Sequence, residues 1–403
     1  MIRSVAVLGA GIMGSSTALH LARRGVAVTL FDEAPEPFSG ASRWNEGKIH
    51  LGFLYAADPT LRTARAVVAG GLDFKHQVEH LTGMSLDAAT TTVDDHYLVH
   101  RDSVVAPAAV GVYLADVAAM VSASPAAGRY LVDVSDCVVH RLAAADLEAV
   151  SDPTFVVAGY RVPERSVDTT MVADAFVDAL RAEAGVAMAM AHRIISVQAA
   201  KDVREQWFVR TADGRHGPFD AVVNALWQGR PAVDESVGHR PDAGHQHRYR
   251  VSVFVRTRHA VDTPCAVLSV GPFGDIKNYN GRNFYLSWYA LGLLARAETV
   301  EPPSVPEMTH AGRRDLTRGV FEALRSRLPW VERIERATTE ARVEGGWVYS
   351  QGSGLLDDPR ATVHQRSRLG ITNLGTYYSV DTGKYSVAPT LADRLARAIT
   401  RDG

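Results

Sequence analysis

The residues with the clearest chemical purpose are three glycines in the run Gly9-Ala10-Gly11-Ile12-Met13-Gly14, a GxGxxG pattern. Between a strand and a helix, this spacing holds a pyrophosphate. Gly9 permits the tight turn, Gly11 lets the backbone approach the anion, and Gly14 lets the helix pack close to the strand. Ile12 and Met13 open a helix whose free N–H groups and positive dipole end face the phosphates. Asp32 stands where a carboxylate accepts both ribose hydroxyls, with Glu33 as the alternative one position on. This is dinucleotide-binding chemistry, and the motif alone does not choose FAD over NAD.

The surrounding elements support that chemistry. Val5-Ala6-Val7-Leu8 is a short apolar run of the kind buried on both faces of a parallel sheet. Residues 12–24 read as a helix closed by Arg23 and Arg24, with Gly25 after its end. Residues 26–31 form a second apolar strand, so the opening of the chain spells one βαβ unit. Further along, a helix is predicted over 171–182, capped by Asp168 or Thr169. Strands are predicted over about 186–197 and 219–226. Residues 247–257 and 282–289 alternate like antiparallel strands around the Gly- and Asn-rich turns of 271–281. A helix follows at about 311–328, then a strand near 370–374, a loop through 378–384 and a helix over about 389–399. The alanine-rich stretch 104–127 reads as a composition bias.

Other chemistries find little support. The 403 residues are 46% hydrophobic and 22% charged, with a net charge of -2 and a pI near 6.7, which favours neither nucleic acid nor an anionic membrane. No run of 18 apolar residues is present, so no membrane span is expected. Cys137 and Cys265 have no metal-ligand or CxxC spacing, and such low use fits a reducing cytoplasm. No signal-like segment precedes the first strand. His239, His245 and His247 lack a third ligand at set spacing, so no metal site is expected. There is no G-x-S-x-G elbow, P-loop or H-E-x-x-H motif.

The choice of cofactor comes from the run Ser42-Arg43-Trp44-Asn45-Glu46-Gly47-Lys48-Ile49-His50-Leu51-Gly52-Phe53-Leu54-Tyr55. It resembles the flavin-contacting segment of the D-amino-acid oxidase / glycine oxidase superfamily, most closely the 2-hydroxyglutarate dehydrogenase branch. Asn45, Gly47, Ile49, His50, Gly52 and Tyr55 match; Glu46 and Lys48 depart. Three further segments are similar to the family's: Arg165-Ser166-Val167-Asp168 with Gly185-Val186, then Asp220 to Ala225, where Leu226-Trp227 replaces the usual A-G, and Thr382 to Pro389. The resemblance implies non-covalent FAD, held by residues 9–14, Asp32, Glu33, Ser42 to His50, Ile194, Asn224, Ala225 and Gly383-Lys384-Tyr385-Ser386. Neither cysteine matches a flavin-linking position.

The same resemblance places His50 beside the flavin, where it could orient substrate, act as base or tether the ring. Lys48 and Lys384 could each stabilise negative charge on a reduced flavin; for Lys48 a surface position is the simpler expectation, and Glu46 would pair with Arg43. Tyr285, Trp288 and Tyr289 could wall a substrate pocket. The family's G-x-R-P carboxylate-clamp arginine is missing, since this region reads Gly345-Gly346-Trp347-Val348-Tyr349-Ser350. A bidentate clamp needs a guanidinium, which Arg248, Arg250 or Arg342 could supply.

The expected fold is α/β: a Rossmann-type FAD-binding domain (1–90, 151–235 and 340–403) interleaved with a mostly antiparallel β substrate domain (91–150 and 236–339). The expected activity is FAD-dependent oxidation of a small amine or amino acid by hydride transfer to flavin N5, with oxygen or a quinone as electron acceptor. Alternatives are a 2-hydroxyacid dehydrogenase and a flavoprotein whose FAD is structural or non-redox.

Overall fold

The computed structural model describes residues 2–200, 206–240 and 244–401. Its first unit is the expected one. Strand β1 (Ser4–Leu8) is buried over four of its five residues, because Val5 and Val7 face the helices on one side of the sheet while Ala6 and Leu8 face Val197, Val209 and Phe219 of a small three-stranded sheet on the other. Helix α1 (Ile12–Ala22) and strand β2 (Ala27–Phe31) complete the βαβ unit. β1 lies at the centre of a six-stranded sheet in the order Gly370–Leu374, Tyr377–Asp381, Ala221–Asn224, β1, β2, Val186–Ala189. All neighbours are parallel except the edge strand Gly370–Leu374. Helix Ala388–Arg401 packs against α1 and helix Arg62–Thr82, so the end of the chain returns to its beginning.

The second layer is a nine-stranded, mostly antiparallel sheet. Its longest members, His245–Thr257 and Thr338–Gln351, pair along their whole lengths. Cys265–Ser269 and Asp95–His100 form its one parallel pair. Helices His310–Arg325 and Val331–Ala337 cover this sheet, and Val320, Phe321, Leu324 and Ile334 join Val253, Ile276 and Leu286 in a second core.

Several boundaries differ from the sequence reading. Strands Val156–Val162 and Thr338–Gln351, expected mainly within the nucleotide-binding portion, pair instead into the nine-stranded sheet, against Asp95–His100 and His245–Thr257. The run 186–197 is two strands in two different sheets, broken at Ala191, which takes a positive φ of 61°. Residues 219–226 divide likewise: Phe219 ends a hairpin, and only Ala221–Asn224 enters the parallel sheet. The loop expected over 378–384 begins as strand Tyr377–Asp381, fully buried and therefore hard to distinguish from other apolar segments by periodicity. The alanine-rich stretch contains helix Pro107–Ser122, with proline at its first turn. The helix expected over 171–182 is Thr169–Ala182, and the Asp168 carboxylate caps it by accepting from Thr170 N–H.

Candidate active site

A single cavity of about 950 Å³ runs from the C-terminal ends of β1 and β2 to the face of the nine-stranded sheet. That is the upper part of the range for small-molecule and cofactor pockets. At its dinucleotide end Gly9, Gly11, Ile12 and Met13 form one wall. A Cβ on Gly14 would lie 1.7 Å from Gly9 O, so only glycine lets α1 sit this close to the turn. A Cβ on Gly11 would fall 2.8 Å from Ser42 Oγ, inside the space left open at the helix start. Gly11 caps α1 with no side-chain hydrogen bond and no acid occupies the first turn, which leaves the positive helix end available to an anion. The Ser42 hydroxyl accepts from Ile12 N–H at 3.0 Å. Asp32 accepts from Ala10 N–H at 2.6 Å and Ala34 N–H at 2.9 Å, which fixes its carboxylate at the cavity wall beside Glu33. Ile194 and Ala225 line the same end. The open glycine backbone, helix terminus and acid suit a dinucleotide of the FAD type.

The segment 42–55 forms the middle wall. Asn45 organises it: its side-chain amide donates to Ala41 O at 2.8 Å and its carbonyl accepts from Gly47 N–H at 2.8 Å. Glu46, Lys48, His50 and Tyr55 line the cavity. His50 is buried, its Nε2 lies 3.9 Å from Glu46 Oε1, and its Nδ1 has no hydrogen-bond partner among the described residues. Burial, followed by the positive charges of Lys384 and Lys48, holds the imidazole well below its usual pKa, so it is neutral near pH 7. Burial pushes the Glu46 carboxyl up, but Lys384, its own backbone N–H, Arg250 and Lys48 outweigh burial and hold it ionised. Lys48 is not on the surface. It is 3% exposed, with Nζ 2.9 Å from Asp95 and 3.7 Å from Glu164, and Asp95 also receives Lys277 at 2.6 Å. Burial works against the Lys48 charge, but the two carboxylates outweigh it and raise its pKa.

The far end is rich in cations. Arg248 and Arg250 stand two residues apart on strand His245–Thr257. Arg248 donates to Tyr289 Oη at 3.2 Å and Ser350 Oγ at 3.1 Å, while the Arg250 guanidinium lies over the Tyr289 ring at 4.5 Å. Lys384 Nζ lies over the Tyr55 ring at 5.5 Å. Arg366 and Tyr285 line the same chamber. Burial, then the charge of Arg366, lowers Lys384 to about 7, and the same two causes lower Arg248 to about 10.

The comparisons with known proteins agree with this geometry. Residues 4–342 match the family model DAO, described as FAD dependent oxidoreductase. The chain belongs to that family. No curated protein matches the sequence. Among solved structures, glycine oxidase from Geobacillus kaustophilus superposes with a TM-score of 0.69 at 15% identity, covering 100% of this chain and 95% of that one. L-proline dehydrogenase from P. horikoshii gives 0.67 at 14%, covering 100% and 94%. L-alpha-glycerophosphate oxidase from Mycoplasma pneumoniae, with FAD bound, gives 0.64 at 13%, covering 99% and 94%. The match is to the family and does not single out the 2-hydroxyglutarate dehydrogenase branch. FAD is therefore the cofactor of this oxidoreductase, and among the described residues no helix is long and apolar enough to cross a membrane.

Within this DAO-family chain, several expected site residues stand behind the cavity wall. Arg43 is drawn outward by Asp174 at 2.7 Å, so it does not pair with Glu46. Gly47 and Ile49 turn toward 165–167, where Ile49 N–H donates to Arg165 O and Gly47 O accepts from Val167 N–H. Gly14 faces Gly9, as its packing role requires. Asn224, the last residue of its strand in the parallel sheet, is fully buried with its amide nitrogen within hydrogen-bond distance of Arg230 O, Asp234 Oδ1 and Tyr377 Oη, a structural hub. Ser386 is fully buried beyond the lining residues Gly383, Lys384 and Tyr385. Trp288 alternates away from Tyr285 and lies under Arg327, 4.8 Å from its guanidinium, against the second core. Arg342, a candidate clamp, is exposed and pairs with Glu340. Arg366 and Asp275 were not singled out by the sequence, since neither sits in a motif; the strand alternation that marks Tyr285 also brings Ser287, the partner of Asp275, to this face.

Proposed function

We propose that this FAD-dependent oxidoreductase oxidises a small amine or amino acid at the carbon bearing nitrogen. FAD, when bound, supplies the two-electron acceptor at N5 for the hydride leaving that carbon, and oxygen or a quinone takes the electrons onward. The observation that carries the reading is the electrostatics of the chamber. His50 is held neutral and Lys384 is depressed to about 7, so the surroundings these two share oppose a proton on a substrate amine placed beside them. A neutral amine is the form that releases hydride, and an ammonium entering here gives its proton to solvent as it is desolvated, without a strong base in the chamber. A hydroxyl group would need such a base. Glycine oxidase and L-proline dehydrogenase, which share the fold, bear the names of amino-acid oxidoreductases, and this supports the same class here.

Roles follow for the chain's own residues. His50, whose Nδ1 has no partner among the described residues, accepts or donates one hydrogen bond and positions the substrate beside Glu46. Tyr285 and Tyr289 exclude water from the reacting carbon. The Lys384 ammonium offsets negative charge arising on reduction. Anaerobic mixing with a panel of amines, amino acids of both hands and 2-hydroxyacids tests the assignment. Loss of flavin absorbance with amines supports it. Bleaching by hydroxyacids alone overturns it in favour of a hydroxyacid dehydrogenase, and bleaching by none of them leaves a non-redox flavoprotein.

A further inference from the structure

The chamber holds more guanidinium groups than its own acids balance. Arg248, Arg250 and Arg366 all line it, and none has a carboxylate within ion-pair distance among the described residues. Arg248 is 2% exposed, yet both hydrogen bonds of its terminal nitrogens go to neutral hydroxyls. Arg366 donates Nε to Val363 O, and its two terminal nitrogens have no partner among the described residues. Arg250 makes no side-chain hydrogen bond among the described residues, its Nε is buried without a partner, and its guanidinium rests on a tyrosine ring. The lysines Lys48 and Lys277 do not add to this excess, because Asp95 and Glu164 balance them. On the acidic side the chamber has Glu46, which lies between Lys384 and Arg250 in its electrostatic surroundings, and Asp275, whose pKa burial and Glu46 push up. Glu301 lines the cavity but is solvent-exposed, and Asp32 and Glu33 belong to the dinucleotide end.

A buried guanidinium without an anion is costly, and three around one cavity repel one another. One α-carboxylate can engage one planar fork bidentately. That leaves two of the three arginines, which belong to the strand carrying Arg248 and Arg250 and the loop carrying Arg366, still short of a partner. We propose that the substrate carries two anionic groups, an α-carboxylate and a second carboxylate or phosphate, shared between the Arg248–Arg250 strand and Arg366. This deepens the amine reading and rests on it for placing the substrate at this end of the cavity.

Non-reacting anions test it without turnover. The holoenzyme is titrated with propionate, butyrate, succinate, glutarate and 3-phosphonopropionate, none of which carries an oxidisable amine or hydroxyl, reading the flavin absorbance shift and the thermal midpoint. Succinate or glutarate should bind at least about tenfold more tightly than the monocarboxylate of similar length, the value of one further charge-assisted contact. Tighter binding of 3-phosphonopropionate than of either diacid would assign the second group as phosphate. Equal affinity for mono- and dianions overturns the proposal, whether or not amines bleach the flavin. A clear dianion preference with no bleaching by any amine would instead leave the proposal standing and remove the amine reading. Arg366→Met and Arg250→Met should each erase most of the preference, with Arg366→Lys and Arg250→Lys restoring part of it. If either Met variant is folded, retains FAD and keeps the full preference, that arginine is not part of the second anion's site.

Discussion

Replacing Asp95 by Asn tests whether the buried charges behind the flavin segment hold it in place. One oxygen of Asp95 receives Lys277 at 2.6 Å and Lys48 at 2.9 Å, and all three side chains are essentially inaccessible. The substitution keeps the shape but removes the charge. Lys277 then has no carboxylate, and Lys48 keeps only Glu164 at 3.7 Å and the Tyr97 hydroxyl at 3.1 Å. Breaking a buried pair by removing one partner costs about 3–5 kcal/mol, because the orphaned charge stays desolvated. At about 2.1 cal/mol/K per residue, the unfolding entropy of 403 residues turns this into a fall of about 4–6 °C in Tm. Circular dichroism at saturating FAD and a fixed scan rate measures it. Asp95→Asn with Lys277→Met should recover part of the loss, since one orphaned cation is gone. The pH dependence has a definite sign. Burial pushes the Asp95 carboxyl up, but Lys277 and Lys48 outweigh it, so its folded pKa lies below the unfolded value near 3.9. Its stabilisation is therefore present above about pH 4 and lost as pH falls through the folded pKa. Wild type and variant should converge only in that acid range. A Tm change under about 1 °C at pH 7, or a double variant no better than the single, would refute the reasoning.

His50→Ala should retain FAD but slow flavin reduction at saturating substrate by about 10²-fold or more, the lower range for a positioned proton-transfer group; an unchanged limiting rate in stopped flow returns His50 to a packing role. Asp32→Ala should weaken FAD binding by about 1–3 kcal/mol, since it removes the acid at the wall and the acceptor of Ala10 and Ala34 N–H; titration of apoprotein measures this, and unchanged affinity assigns the ribose to Glu33. Lys384 changes charge at about pH 7, so sulfite should bind the wild-type flavin more weakly as pH rises through that value. Lys384→Met should bind sulfite about tenfold more weakly at pH 6 and lose the part of the pH dependence that exceeds sulfite's own ionisation in the same range; an unchanged pH dependence would place the titrating group elsewhere.

The nucleotide-binding half was legible because its signals are local. Strand, glycines, helix, second strand and acid follow one another within the first 33 residues, and each constrains the next. The segment 42–55 was legible through its resemblance, which correctly gave the family and the cofactor. The division between sheets was harder to read. Val156–Val162 and Val186–Ala189 are both short apolar strands, and periodicity does not say which sheet such a strand joins. That choice is made by long-range pairing, Tyr160 against Tyr97 in one case and Val28 against Val186 in the other.

The misreading of Lys48 and the omission of Arg366 have the same physical origin. A cation in a loop looks like a surface residue until its partners are known, and these partners are distant in sequence. Lys48 meets Asp95 and Glu164 from two other strands and loops, and with its charge balanced it can line the cavity wall without loading it. Arg366 lies in a loop without a motif, between helical turn Thr362–His364 and strand Gly370–Leu374. Its relevance comes only from facing Arg248, Arg250 and Lys384 in one chamber. The two cases then diverge in function. Burying a lysine with its carboxylates stiffens the wall, whereas burying arginines without carboxylates leaves the anion to be brought by what binds. The missing G-x-R-P arginine is thus not a missing charge. Guanidinium groups enter the chamber from strand His245–Thr257 and from the 362–366 loop instead, and their number, more than any single position, is what a substrate has to answer.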